Sequence, residues 1–324
     1  MIRYRSIIKQ AWQTTINNRW LWIIGLFAAA LTNIGQYNRL LSAFDGGGWT
    51  RILNSLFNYW RDALLLFNFS IENPILLLGG LLILILGLAL IFLAVNSQIL
   101  LVKKVQASLK AKDKKAIEPP SLSFWKQIKT SWPIFWPTVG VIVAIKFILL
   151  ACLIVVSLTM AGVYLISQPI IATFLYVLLV LFFLATIWLI GVWGRYWLLL
   201  FLSDKNNNWL VSAKQAWRML CQNLLTSLEM FVIIALINFL AYLLWIFAIY
   251  LLAIPFSLLT ILLIKYLAVS EILIIMLAKI LLIASLIFLV GAMTVFENSL
   301  WLNFIDKLAS QSIISKVSRV FRRR

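Results

Sequence analysis

Six apolar runs, each near the length of a bilayer crossing, leave this chain few folds to choose from. They cover residues 20–34, 74–102, 134–166, 170–194, 226–254 and 271–296. A helix needs about 20 apolar residues to cross a hydrocarbon core of about 30 Å. No water reaches the backbone there, so a crossing segment has to satisfy its own amides and carbonyls, which a helix does. The first run is short, and the stretch before it extends it by tilting in; the others exceed the minimum and imply tilted or protruding helices. Composition agrees, because 64% of the residues are hydrophobic and 12% charged, against about 45–50% and about 25% in a soluble globule. The expected fold class is all-α: one polytopic membrane domain over 1–324 with six transmembrane helices, an outer loop over 36–73 and a basic tail over 297–324.

Charge distribution sets the threading. Arg3, Arg5, Lys9 and Arg19 precede the first run, eight lysines fall between 103 and 133, and Arg195, Lys205, Lys214 and Arg218 lie between 195 and 225. The tail adds Lys307, Lys316, Arg319 and Arg322 through Arg324, which brings this side to 22 basic residues. The other side has four, Arg39, Arg51, Arg61 and Lys265. The positive-inside rule therefore puts both termini in the cytoplasm, and the expected location is a prokaryotic cytoplasmic membrane. The net charge of +18 follows from this sided distribution and gives no reason to expect nucleic acid. A seventh crossing near Pro255 would carry the Arg-rich tail outside, so 255–270 is expected to be a bent or re-entrant connection. The run 20–30 ends in Ala28-Ala29-Ala30, like a cleavable signal, but its amphipathic lead-in recurs twice inside the chain, and a retained span is expected.

That lead-in is a repeat. Ala11-Trp12 to Asn18, Phe124-Trp125 to Ser131 and Ala216-Trp217 to Asn223 each place a Trp six positions before a small polar residue, just ahead of an apolar run. Tyr4, Ile7, Ile8, Ala11, Trp12, Thr15 and Ile16 make one helical stripe, with Arg3, Arg5, Lys9 and Asn17 opposite. In the third copy the stripe is Ala213, Ala216, Trp217, Leu220, Cys221 and Leu224, and Ser212 with Gln215 resembles a capping box that would start the helix. Pro119-Pro120 stops anything upstream of the second copy from continuing as helix. Three cytoplasmic-side amphipathic helices are expected, lying in the headgroup plane with Trp12, Trp125 and Trp217 as anchors and cations toward anionic lipid. Trp49, Ile52, Leu53, Leu56, Phe57, Trp60 and Leu64 predict a further helix in the outer loop, either packed on the membrane surface or serving as a lid.

Chemistry is sparse. Charges inside the runs are Lys146, Lys279 and Glu229, with Arg195 at the inner end of the fourth; each costs about 2.5–3.5 kcal/mol at mid-helix on insertion scales. Glu229 and Arg195 are expected at similar depth and hence paired, with Asn96 and Gln98 as neighbours at the inner end of the second run. The structural alternative is one ion pair plus two lysines reaching to the interfaces. Lys146 strains that reach, lying ten residues beyond Trp136, roughly 15 Å along a helix. Gly80, Gly87, Gly140, Ala144, Ser157 and Ala161 suit close helix packing better than a pore lining. The chain has no His and two Cys, Cys152 and Cys221, neither placed like half of a disulfide. Gly46-Gly47-Gly48 lacks the Lys-Ser/Thr ending of a phosphate loop, and Ser6-Ile7-Ile8-Lys9 and Ser123-Phe124-Trp125-Lys126 match S-x-x-K only by spacing. No catalytic, metal or cofactor site is expected.

Gly194-Arg195-Tyr196-Trp197, followed by Ser212-Ala213-Lys214-Gln215-Ala216-Trp217 and Asn223, resembles the membrane domain found beside bacterial glycerophosphoryl diester phosphodiesterases and related multi-pass families. Ala11-Trp12 to Asn18-Arg19-Trp20 and Phe124-Trp125 to Trp132 fit the same layout, so the resemblance covers nearly the whole chain. The family's linker Glu after the Arg-aromatic motif is missing here, with Asp204 the nearest acid. The resemblance implies a six-helix architecture and no reaction. The expected role is a non-enzymatic membrane module that interacts with lipid or supports an envelope complex. Its expected partners are anionic headgroups at the cytoplasmic face, with a protein partner or a second copy also possible. The alternative is a small transporter with a charged path through Lys146, Glu229 and Arg195.

Overall fold

The computed structural model describes residues 4–29, 74–110, 124–164, 169–204, 208–264 and 270–309. Among them nearly every residue is helical and there is no strand. The described helices are, in order, α1 (Tyr4–Asn17), α2 (Leu21–Ala29), α3 (Pro74–Lys110), α4 (Phe124–Tyr164), α5 (Pro169–Ser203), α6 (Trp209–Gln222), α7 (Leu224–Ile264) and α8 (Ser270–Ala309). Five of these, α3, α4, α5, α7 and α8, are long and apolar enough to cross a membrane. Each has 35 to 41 residues, which at 1.5 Å per residue is about 50–60 Å and outruns the hydrocarbon core. Their apolar side chains face outward: Leu81, Ile83 and Leu84 of α3 are 53%, 71% and 62% exposed. Water would penalise such a surface heavily, whereas hydrocarbon does not. The chain is a multi-pass membrane protein. The first expected crossing, run 20–34, begins with α2, and its remainder lies outside the described residues, as does the outer loop 36–73.

Several boundaries differ from the sequence expectation. The 255–270 connection is helix as far as Ile264, because Pro255 sits inside α7 without ending it. Run 271–296 does not stop at Phe296; α8 continues to Ala309, since Leu300, Trp301, Phe304, Ile305 and Leu308 carry the apolar periodicity onward and are buried. The tail expected over 297–324 is therefore helical in its first part. Helix α5 likewise extends past Gly194 to Ser203. The capping-box reading of α6 is replaced by Asn208, whose extended backbone and side-chain oxygen cap Val211 N at 3.4 Å. Ser212 lies one turn inside, donating to the Asn208 carbonyl at 2.9 Å.

The Trp repeat produces two elbows and one continuous helix. Asn18 separates α1 from α2: its amide donates to the Thr14 carbonyl at 2.8 Å, and its own carbonyl accepts Leu21 N at 2.9 Å. Asn223 does the same between α6 and α7, donating to the Met219 carbonyl at 3.1 Å and accepting Ser227 N at 2.8 Å. One residue closes a helix at its last carbonyls and opens the next, which satisfies groups that helix ends otherwise leave unpaired. The second copy has Ser131 in this place, and α4 runs through it unbroken from Phe124. Serine is tolerated inside helices by bonding one turn back. The separate second interfacial helix expected from the sequence is thus the first turns of α4.

The chain divides into two compact units. The first comprises Met1–Leu26, Leu100–Phe124 and Arg195–Arg324, and the second Phe27–Ile99 and Trp125–Gly194. In the first, α1 and α7 both pack on α8, and α6 packs on α7. In the second, Phe92 meets Trp132 and Phe135 at ring distances of 6.1 and 5.2 Å. Val156 and Phe183 form a smaller cluster there with Cys152, Leu153 and Tyr176 around it.

Two close helix approaches require glycine, and neither involves the small residues singled out from the sequence. A Cβ on Gly25 would stand 2.5 Å from the Gly291 carbonyl oxygen, and one on Gly291 would strike the Trp22 carbonyl. In the second unit a Cβ on Gly194 would lie 2.8 Å from Ile145 Cγ2. Around Gly80, Gly87 and Gly140, by contrast, nothing described lies within 4 Å of such a Cβ. Gly291→Ala should therefore lower the unfolding temperature of the detergent-solubilised protein, corresponding to about 1–2 kcal/mol of overpacking against backbone that cannot yield. Gly87→Ala should leave it unchanged or raise it slightly through helix propensity.

Candidate intramembrane polar site

Glu297 gathers the polar groups of the first unit. Its Oε2 accepts the Arg195 guanidinium from α5 at 3.0 Å, with the two side chains 21% and 18% exposed. Its Oε1 accepts the Asn238 amide from α7. Both carboxylate oxygens are thus engaged and three helices are tied together. An Arg–carboxylate bond of this kind is charge-assisted and about twice as strong as a neutral one.

The expected Arg195–Glu229 pair does not form, and helix rotation explains why. Glu229 and Asn238 are nine residues apart on α7, which at about 100° per residue places them on opposite faces. Asn238 faces Glu297, so Glu229 faces elsewhere. It accepts the Tyr4 hydroxyl at 2.5 Å, pinning the first turn of α1. Azimuth decided the partner.

A hydroxyl relay runs beside the pair. Ser227 spends its hydrogen on the Asn223 carbonyl at 2.8 Å, so in its 2.8 Å contact with Tyr196 the tyrosine donates. Tyr196 is fully buried and also meets Trp301 edge-on at 5.7 Å. Trp197 Nε1 donates to the Trp209 carbonyl at 2.8 Å, securing the start of α6. The Arg195-Tyr196-Trp197 triplet therefore addresses α8, α7 and α6 in turn.

The remaining sequence candidates fall elsewhere. Asn96 and Gln98 on α3 and Lys146 on α4 belong to the second unit. Asn96 is buried with its amide on the Phe92 carbonyl at 2.9 Å, Gln98 is buried, and Lys146 is partly buried. Lys279 is within α8, and its side chain lies outside the described set, like that of Trp125. Trp12 and Trp217, expected on the apolar stripes as interfacial anchors, are 55% and 52% exposed. The buried residues are Tyr4, Ile7, Ala11, Thr14 and Thr15 in α1, and Ser212, Ala216 and Leu220 in α6. Alanine just before each Trp permits the close helix contact, and the bulky indole stands on the flank.

Sequence reasoning missed Glu297, Asn238 and Tyr4. Glu297 was assigned to the tail because the sixth run was ended at Phe296; the apolar pattern beyond it was the available signal. Among the described residues no group of three or more His, Cys, Asp or Glu stands together as a metal site would need. The arrangement acts as a clamp. Glu297→Ala should destabilise the solubilised protein by about 3 kcal/mol, since it strands Arg195. Replacing Arg195 and Glu297 together by leucine should recover most of that loss, read from thermal unfolding of both variants.

No protein-family model, curated protein or solved structure matches this chain.

Proposed function

We propose that the chain is a non-enzymatic, six-span module of a prokaryotic cytoplasmic membrane, with both termini in the cytoplasm, that interacts with lipid or supports an envelope complex. The observation that carries this reading is how the polar groups of the first unit are used. Glu297 holds Arg195 and Asn238, Glu229 holds Tyr4, and Tyr196 reaches Asn223 through Ser227. Each contact joins helices or fixes an elbow. Meanwhile the surfaces left outward are apolar on the long helices, and apolar with cations on α1 and α6.

The orientation rests on the 22 basic residues of one side against four on the other. A fluorescent-protein fusion at the C-terminus should fluoresce, and an alkaline phosphatase fusion at the same place should be inactive. The reverse pattern would refute the proposed threading.

The transporter alternative, with a path through Lys146, Glu229 and Arg195, is separated by water access to α4. After Cys152→Ser and Cys221→Ser, a Lys146→Cys variant should stay unlabelled by a membrane-impermeant thiol reagent applied from either side. Labelling there would favour transport over a structural module.

A further inference from the structure

We propose that α1 and α6 each hold the phosphate of one anionic phospholipid between two cations a turn apart, with the acyl chains against the neighbouring Trp. The proposal deepens the lipid-interacting reading above and rests on it.

On α1, Arg5 and Lys9 are four residues apart and both exposed; on α6, Lys214 and Arg218 repeat this spacing and are also exposed. Side chains at this spacing are neighbours on one helix face, about 5–6 Å apart at Cβ, and like charges there repel. Nothing within either helix relieves the repulsion, since neither Tyr4–Asn17 nor Trp209–Gln222 contains an acidic residue. Among the described residues none of the four cations forms an ion pair. A monoanionic phosphodiester between the two charges would turn that repulsion into attraction.

Lipid is favoured over free phosphate by what lies alongside. Lys9 and Lys214 hold the same place in the repeat, three residues before Trp12 and Trp217. On α1 the cations adjoin Trp12 and Ile16, 55% and 37% exposed, and on α6 they adjoin Leu210 and Trp217, 62% and 52% exposed. Each helix therefore has one face buried in the protein and one turned outward, and the outward face carries cations and apolar side chains together: Arg5, Lys9, Trp12 and Ile16 on α1, and Leu210, Lys214, Trp217 and Arg218 on α6. A soluble anion needs only the cations. A phospholipid, with apolar chains joined to an anionic head, uses both. The elbows at Asn18 and Asn223 lead straight into α2 and α7, which keeps this face beside the point where an apolar helix begins.

The test uses the full chain in bilayer nanodiscs of equal dioleoylphosphatidylglycerol and dioleoylphosphatidylethanolamine, with native mass spectrometry counting the lipids retained on release. The unaltered protein should retain up to two phosphatidylglycerols in preference to phosphatidylethanolamine. Lys9→Gln with Lys214→Gln should cut the preference about fivefold at each site, the factor equivalent to about 1 kcal/mol per basic residue near an anionic surface. Replacing Arg5 and Arg218 by Gln as well should bring it near parity. Arg19→Gln removes an exposed cation that has no partner of this spacing in α1, and it should have little effect. If Arg19→Gln matches Lys9→Gln, or if the preference survives all four substitutions, the clamps are overturned in favour of diffuse attraction or none. A separate measurement tests the underlying reading: quenching of tryptophan fluorescence by brominated-chain phosphatidylcholine should fall when Trp12 and Trp217 become Phe. If quenching does not change, the two helices do not touch lipid chains, and the lipid-interacting reading fails along with the clamps.

Discussion

The carboxylate of Glu297 is the contact on which the first unit's geometry turns. A charged group among apolar helices is costly unless it is paired and its remaining lone pairs are used. Arg195 supplies the opposite charge and Asn238 occupies the second oxygen, so the rotation of α8 is fixed against both α5 and α7. With α8 fixed, its Gly291 can meet Gly25 and Trp22, and its Phe296 can stand perpendicular to Trp12 at 6.0 Å. Lys307 then reaches Gln10 at 3.1 Å, so α1 and α2 are laid along a helix whose orientation is already set. Apolar packing alone specifies rotation poorly when lipid is as apolar as the side chains it competes with. A few directional polar contacts do what a water-driven core does in a soluble protein.

The two asparagine elbows solve a second problem at little expense. A chain that changes direction leaves backbone carbonyls and amides without partners, which is most damaging close to hydrocarbon. Asn18 and Asn223 each supply an amide donor backward and a carbonyl forward, so the turn takes very few residues. At Asn223 the carbonyl also receives Ser227, itself the acceptor for Tyr196, so the elbow is connected to the residue that follows Arg195 on α5. Where Ser131 replaces asparagine, the helix continues without a break.

The apolar runs made the long helices legible because length and hydropathy are properties of a segment. What the sequence could not show were properties of pairs of segments. The expected depths of Glu229 and Arg195 suggested a pair, but only the rotation of α7, revealed by Asn238, shows that Glu229 points to Tyr4. Gly80, Gly87 and Gly140 look like packing glycines by type, yet the close crossings belong to Gly25, Gly291 and Gly194. The Trp spacing makes three places look alike, but the two with asparagine are elbows and the one with serine is not. Hydrophobic periodicity groups Trp12 and Trp217 with the rest of the apolar stripe, but it does not tell which members pack on protein; Ala11 and Ala216, just before them, are the buried ones.

The separation in sequence of the clamp's partners gives the protein a history as well as a shape. Arg195 and Glu297 lie 102 residues apart, and Tyr4 and Glu229 lie 225 apart. At roughly 5–20 residues per second of synthesis, Arg195 emerges about 5–20 seconds before its carboxylate exists. During that interval the cation has only water, lipid headgroups or the insertion machinery to turn to, and α1 waits longer still for Glu229. The first unit therefore cannot be assembled helix by helix in order of synthesis. It is completed when α8 arrives, and a chain interrupted before that point leaves Arg195 without its carboxylate.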